Sequence, residues 1–297
     1  MMTKSPNKWL FFSNFSLKLL ALFFMTCDHV GFMLQYYYLT PNSPIVIVLR
    51  VLGRLAMPLF CFLIYEGVSH TRNFGKYALR LGLMAAFISG AFAFLIYADT
   101  PFSLSNLSAT GNIFLDLLLG AVALFCLKHP KGAIKWLALL PVLYGILCFG
   151  VTTYEANTGA IINWLPQYIR TQYGWFGIVL IIGFYLGYLI KEYYLSTFAI
   201  NSGLDKEILR GSSFDINATR LANMAVVVIV CLILYGLTWI ISIPYLPYQW
   251  VALFSGALLL CYNGKRGYNK AWFEYGAYLY YPLHLAIIAV IFYLITL

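Results

Sequence analysis

Charge is scarce in this sequence. Asp, Glu, Lys and Arg make up 10% of its 297 residues, where soluble domains carry about 25%. Hydrophobic residues reach 62%, more apolar surface than a soluble fold of this length can enclose, although a bilayer accepts it. Paired cysteines are missing as well. The six cysteines sit inside apolar runs, none with CxxC spacing or a histidine partner at metal-ligand spacing. That pattern excludes a disulfide framework and a thiolate metal site, and the cysteines read as small packing residues. No small-residue cleavage site follows Lys4 and Lys8, so the first apolar run is expected to stay as a span. An internal repeat and a second domain are also absent.

What the chain does have is long apolar runs: 17–38, 45–66, 76–97, 112–127, 133–151, 173–190, 221–243, 246–263 and 275–296. Most approach the roughly 20 residues that a helix needs to cross the hydrocarbon core, and helices are the default because lipid leaves backbone amides no outside partner. The fourth and eighth runs are short and the least secure as spans. The net charge of +9 does not point to nucleic acid, because the basic residues sit in short connectors. With the N-terminus inside, the inner connectors and helix ends hold Lys4, Lys8, Lys18, Arg72, Lys76, Arg80, Lys128, Lys131, Lys135, Lys191, Lys206, Arg210, Arg220, Lys265, Arg266 and Lys270. Only Arg170 falls in an outer loop, while Arg50 and Arg54 fall inside the second span. This skew predicts an all-α polytopic membrane bundle of about nine spans, N-in and C-out, as one domain over 1–297 in the cytoplasmic membrane.

Three connectors are longer. Outer stretch 98–111 is Ser- and Asn-rich. Outer stretch 152–172 carries Trp164, Tyr168 and Arg170 and is expected along the interface. Inner stretch 191–220 is mixed in charge and is expected to be the most flexible part.

Ionisable groups within lipid are costly and need a reason. Five stand out: Asp28, His29, Arg50, Arg54 and His284. At 1.5 Å rise per residue, His29 lies about 18 Å from the inner end of its span, and His284 and Arg54 about 14 Å from the inner and outer ends of theirs. All three fall near mid-depth. Asp28 and His29 are adjacent and point about 100° apart on a helix, whereas Arg50 and Arg54 share a face. Asp28 is therefore expected to pair with Arg54 or Arg50 across the first two spans, either as a structural ion pair or as support for a site. His29 then points elsewhere. A neutral imidazole at that depth suits a general base, and it equally suits an interhelical hydrogen bond. His284 follows Pro282, which can bend the last span and aim the histidine inward; packing is the alternative role.

Arg72, Lys76 and Arg80 are spaced four apart. If helical, they form one basic face able to receive the phosphates of a nucleotide-containing cofactor, or else they set topology and meet anionic lipid. Glu66 and His70, also four apart, can pair locally. Asp116 can line a vestibule or cap a helix N-terminus, of which the cap is the simpler role.

Several ordered stretches resemble the TraX family, membrane proteins linked to N-acetylation of conjugative pilin: LKLLALFFMTCDHVG at 17–31, LRVLGRLAMPLFCFLIYEGVSHTRNFGKYALRL at 49–81, GNIFLDLLLG at 111–120, GWFGIVLIIGFYL at 174–186, and YNGKRG with YLYYPLHL between 262 and 285. Asp116 departs from the uncharged residue expected there. A fainter similarity joins His29, Pro58–Phe62, Arg72–Arg80 and Tyr278–His284 to membrane acyltransferases that acylate surface sugars. The resemblance implies transfer of an acyl group, expected to be acetyl, from cytoplasmic acetyl-CoA to an amine or hydroxyl of a pilin or cell-envelope glycan or lipid acceptor. It implies His29 as base, Asp28 and Arg54 ordering the site, and His284 assisting. Arg72, Lys76 and Arg80 would then receive CoA phosphates, with Arg50 and Glu66 toward substrate. Membrane lipids are expected partners, while nucleic acid and metal are not. The competing reading is a transporter or channel for a small anion or envelope precursor, with Arg and His lining its pathway. The lack of paired broken helices and inverted repeats weighs against it.

Overall fold

The computed structural model describes residues 10–98, 111–243 and 248–296. Lys4, Lys8 and nearly all of the outer stretch 98–111 lie outside them. The described residues are 79% helix and form no β-strand. The helices are α1 (Asn14–Tyr37), α2 (Pro44–Gly53), α3 (Ala56–His70), α4 (Phe74–Tyr97), α5 (Ile113–Lys128), α6 (Gly132–Trp136), α7 (Leu139–Thr158), α8 (Trp175–Ser202), α9 (Lys206–Leu209), α10 (Ser213–Ile240), α11 (Ser255–Leu260) and α12 (Ala271–Thr296). Short 3₁₀ turns occupy Gln167–Ile169 and Gln249–Phe254.

Seven helical segments among the described residues are long and apolar enough to cross a membrane, making this a multi-pass membrane protein: α1, α2–α3, α4, α6–α7, α8, α10 and α12. The fourth and eighth apolar runs become the 16-residue α5 and the short Gln249–Leu260 segment. α5 nevertheless sits at the centre, packed against α3, α4, α7 and α8. Half of its side chains are buried.

Local chemistry sets the helix ends. Side-chain oxygens of Ser13, Asn73, Asn112 and Ser212 accept the backbone N–H groups that open α1, α4, α5 and α10, as capping residues do. α8 ends at Gly203, whose φ of 64° lies in the left-handed region that glycine enters without a Cβ penalty. On α4, Leu79, Leu83, Phe87 and Phe94 form an exposed stripe, while Leu81, Ala85 and Ile88 are buried. A lipid-facing helix shows this division, apolar on both faces but packed on one.

The second predicted span is not one straight helix. Arg54 and Leu55 divide α2 from α3, although the Arg54 N–H still donates to the Arg50 carbonyl at 3.2 Å. The 191–220 stretch is largely helical. α8 continues to Ser202 and α10 begins at Ser213, and charge ties them together. Lys191 Nζ donates to Glu192 at 2.6 Å and to Asp215 at 2.9 Å, and Lys206 lies 3.0 Å from Glu192.

At the opposite end of the bundle, Arg170 is buried rather than interfacial. Its guanidinium forms a two-pronged pair with Glu155, and its Nε donates to the Leu165 carbonyl at 2.7 Å. A guanidinium at 2% exposure requires such a partner. Asp116, fully buried, accepts the N–H groups of Gln172 (2.6 Å) and Tyr173 (3.1 Å) just before α8. It thus tethers the segment before α8 instead of capping that helix, whose N-cap, Gly174, has no side-chain cap hydrogen bond.

Candidate functional site

The polar cluster forms where α1 meets the α2–α3 junction. Gly53 allows the approach, since a Cβ there would lie 2.3 Å from the Asp28 Cβ. Asp28 pairs with both arginines, not with one of them. Its Oδ2 accepts from Arg50 Nη1 at 2.8 Å, and its Oδ1 from Arg54 Nη2 at 2.6 Å. Arg54 is the more deeply buried at 3% exposure, and every donor group on it is engaged. Its Nε reaches the Arg50 carbonyl at 3.1 Å, and its Nη1 the Gln249 Oε1 at 3.1 Å. One carboxylate between two guanidiniums leaves one net positive charge within these three groups. Arg50 Nε and Gln249 Nε2 are buried donors without a hydrogen-bond partner among the described residues. Tyr248, immediately before Gln249, takes a left-handed φ of 60°, a conformation that costs a non-glycine residue about 1–3 kcal/mol.

His29 turns away from this cluster, as adjacent positions on a helix require. Its Nδ1 lies 2.6 Å from His284 Nε2, and the two rings are 4.9 Å apart. His284 Nδ1 lies 2.8 Å from the Tyr280 carbonyl. That carbonyl can only accept, so Nδ1 of His284 carries the proton and donates. In the neutral pair, His284 Nε2 is then the acceptor and His29 Nδ1 the donor. His29 Nε2 is left with its lone pair and no hydrogen-bond partner among the described residues. His284 is 5% exposed and Tyr280 stacks on it, ring centroids 4.9 Å apart. α12 continues through Pro282, and its i, i+4 spacing places Tyr280 under His284. The Tyr280 hydroxyl also meets Thr26 Oγ1 at 2.7 Å.

Beside the pair lies a cavity of about 490 Å³. Lys18, Arg80 and Arg266 line its basic end, with His70 and Thr71 beside them. Leu22, Phe60, Leu63 and Ile64 line its walls, and Met25, Phe114 and Tyr281 its innermost part. Glu66 faces it, and its Oε2 accepts from the Tyr262 hydroxyl at 3.1 Å. His70 sits 3.9 Å from the Glu66 carboxylate and 2.9 Å from its carbonyl, so the expected local pair forms.

The basic set divides. Arg72 precedes the Asn73 cap and is not helical, so Arg72, Lys76 and Arg80 do not share one helical face. Arg80 lines the cavity; Arg72 and Lys76 are exposed and do not. Lys18 and Arg266, assigned only to topology by the sequence, join Arg80 instead. Gln249, Thr26 and Tyr281 also escape sequence reasoning. Three polar residues within four positions, Thr26, Asp28 and His29, interrupt an apolar run and give a signal for Thr26. Tyr281 is one of many apolar-run aromatics, and Gln249 has no signal beyond its polarity.

Comparison with known proteins adds three findings. The family model described as TraX protein matches residues 13–201, more than half of the chain. A probable fimbrial assembly protein FimC of serogroup H1 from Dichelobacter nodosus is 39% identical over 119 residues, covering 38% of this chain and 46% of that protein; the match thus spans under half of the relative's length. No solved structure matches.

Proposed function

The chain belongs to the TraX family, and on that premise we propose that it is an acyltransferase of the cytoplasmic membrane. In this reading it moves an acetyl group from cytoplasmic acetyl-CoA to an amine or hydroxyl of a pilin or other envelope acceptor. The pilin side of the reading draws support from the fimbrial assembly protein to which part of the chain is similar. The chemical side rests on one observation: the Tyr280 carbonyl orients His284, and His284 in turn orients His29, which leaves His29 Nε2 with a free lone pair.

His29 Nε2 accepts the proton of the acceptor amine or hydroxyl as that atom attacks the thioester carbonyl carbon. His284 Nε2 holds the Nδ1 proton of the resulting imidazolium and spreads its charge. The Asp28–Arg50–Arg54 cluster, with its one net positive charge, favours the negative charge that develops on the carbonyl oxygen. When the carbon–sulfur bond breaks, His29 returns the proton to the departing thiolate. Arg80, Lys18 and Arg266 suit phosphate groups at the cytoplasmic mouth, and the apolar wall of the cavity suits a slender pantetheine arm. Glu66 offers that arm a hydrogen-bond acceptor. Arg72 and Lys76, exposed beside the mouth, serve the approach of an anionic ligand.

The test is to supply labelled acetyl-CoA to membranes containing the protein and its native acceptor. Label is expected on a proteinaceous or glycan acceptor, and His29→Ala should abolish it. Labelling that persists in His29→Ala overturns the assignment of the base. Uptake of a small anion into liposomes without acyl-CoA would favour transport instead.

A further inference from the structure

The cavity and the histidine pair are neighbours, but the cavity does not reach them. Its inner end is walled by Met25, Phe114 and Tyr281, and neither His29 nor His284 lines it. Tyr281 stands between. Its ring is edge-on to His29 (centroids 6.0 Å, 82° between planes) and to His284 (5.6 Å, 73°). Phe114 is edge-on to Tyr281 from the other helix (5.3 Å, 86°). Both rings are buried, at 8% and 6% exposure. The arrangement follows from spacing: Tyr281 and His284 are i, i+3 on α12 and share a face, and Phe114 projects from the first turn of central α5.

We propose that Tyr281, backed by Phe114, sets the length of the acyl group, admitting acetyl and excluding longer linear chains. This rests on the acyltransferase reading above. For transfer, the attacking atom and the carbonyl carbon must come within about 3–3.5 Å of each other, with the acceptor on the histidine side of the Tyr281 ring edge and the thioester on its cavity side. A thioester that enters from the basic end therefore brings its acyl group to the partition. An acetyl methyl is small enough to lie against the rings. Each further methylene has to occupy space filled by Tyr281, Phe114 and the two imidazoles, and close-packed interiors do not accept added methylenes without displacement. A pocket that is short by one methylene discriminates by roughly 10–200-fold.

The test uses the full-length protein purified in lipid nanodiscs. The unreactive S-ethyl, S-butyl and S-hexyl thioethers of CoA compete against labelled acetyl-CoA, and membranes are assayed in parallel for transfer from acetyl-, butyryl- and hexanoyl-CoA. The native protein and Tyr281→Phe, which keeps the ring, are expected to prefer the ethyl over the butyl thioether at least about tenfold. Tyr281→Leu should compress that preference to within about threefold and raise relative transfer of butyryl. Equal binding of all three thioethers by the native protein overturns the assignment, as does unchanged discrimination by Tyr281→Leu. If Tyr281→Leu does not fold, Phe114→Leu opens the same partition from the other side and is judged by the same two outcomes. Complete failure of the native protein to bind acetyl-CoA instead defeats the acyltransferase reading itself, and the length assignment with it. Binding without discrimination defeats only the latter.

Discussion

His29 and His284 meet nitrogen to nitrogen, 2.6 Å apart, although 255 positions separate them in sequence. Because His284 is in turn fixed by a backbone carbonyl, the pair has one neutral arrangement that satisfies all three atoms. Two histidines joined in this way act as a unit, so their effects on a reaction will not add. His29→Ala is expected to lower transfer by about 10²–10⁴-fold, the usual worth of a general base. His284→Ala removes one hydrogen bond that strengthens as His29 becomes charged, about 1.5–3 kcal/mol, or roughly 10–100-fold. The double variant should be no slower than His29→Ala alone. Rates for the two single variants and the double, measured with labelled acetyl-CoA in membranes, check this; multiplying losses would mean that the histidines act separately.

The α1–α2 contact gives a prediction about stability instead of rate. Gly53→Ala places a methyl 2.3 Å from the Asp28 Cβ and 2.7 Å from its Cα. The backbone atom cannot swing aside, so the helices must separate, at an expected cost of about 1–3 kcal/mol. Asp28→Asn keeps the packing but leaves Arg50 and Arg54 without their carboxylate, and breaking a buried pair from one side costs about 3–5 kcal/mol. Thermal unfolding in detergent should therefore rank the native protein above Gly53→Ala, and Gly53→Ala above Asp28→Asn. A reversal would mean that the ion cluster contributes less than the helix contact.

Arg80 and Arg72 test the division of the basic set. Arg80 lines the cavity and Arg72 does not. If the cavity holds the CoA arm, Arg80→Ala loses a charge-assisted contact of about 1.5–3 kcal/mol and should weaken acetyl-CoA binding roughly 10–100-fold. Arg72→Ala should change it by less than about threefold, through long-range attraction that salt screens. Isothermal titration at low and high salt separates the two. Equal losses for both variants would place the phosphates outside the cavity.

The fold was largely legible because lipid imposes one rule on every run: enough apolar residues, helical, with basic residues kept to one side. Each apolar run has a helical counterpart, and the fourth and eighth runs, short in sequence, correspond to the two segments too short to count as spans. The Asp28–Arg50–Arg54 cluster was legible for a related reason, because charge at such depth demands a partner. Partners without charge were not. Gln249 holds Arg54, yet an amide in an apolar run gives no periodic or electrostatic signal. Nor does helical spacing reveal which of the Tyr278, Tyr280 and Tyr281 rings faces the histidines, since that depends on how α12 rotates against α1. The basic set failed at a boundary. Asn73 starts α4 one residue after Arg72, and a spacing of four shares a face only within one helix. In the 191–220 stretch, mixed charge reads in sequence as a solvated loop, whereas the structure has Lys191, Glu192 and Asp215 satisfying one another between two helices.

The Glu155–Arg170 pair shares no hydrogen bond with the histidines, and its bonds hold the 159–172 segment in place. Glu155 also accepts the Ile162 N–H at 2.6 Å, and the Arg170 carbonyl accepts the Asn112 N–H at 2.9 Å, so the pair links the end of α7 to the start of α5. Removing only the carboxylate leaves a guanidinium at 2% exposure with no opposite charge. Glu155→Gln is expected to destabilise the protein by about 3–5 kcal/mol, and to expose the segment to added protease. Replacing both partners with apolar residues of similar volume, Glu155→Leu with Arg170→Met, removes the stranded charge and should recover much of that loss, because a buried ion pair gains little over good packing. Limited proteolysis and thermal unfolding of the single and double variants decide the matter. A double variant as unstable as Glu155→Gln would mean that the hydrogen bonds to Leu165 and Ile162, and not the charge balance, hold the segment.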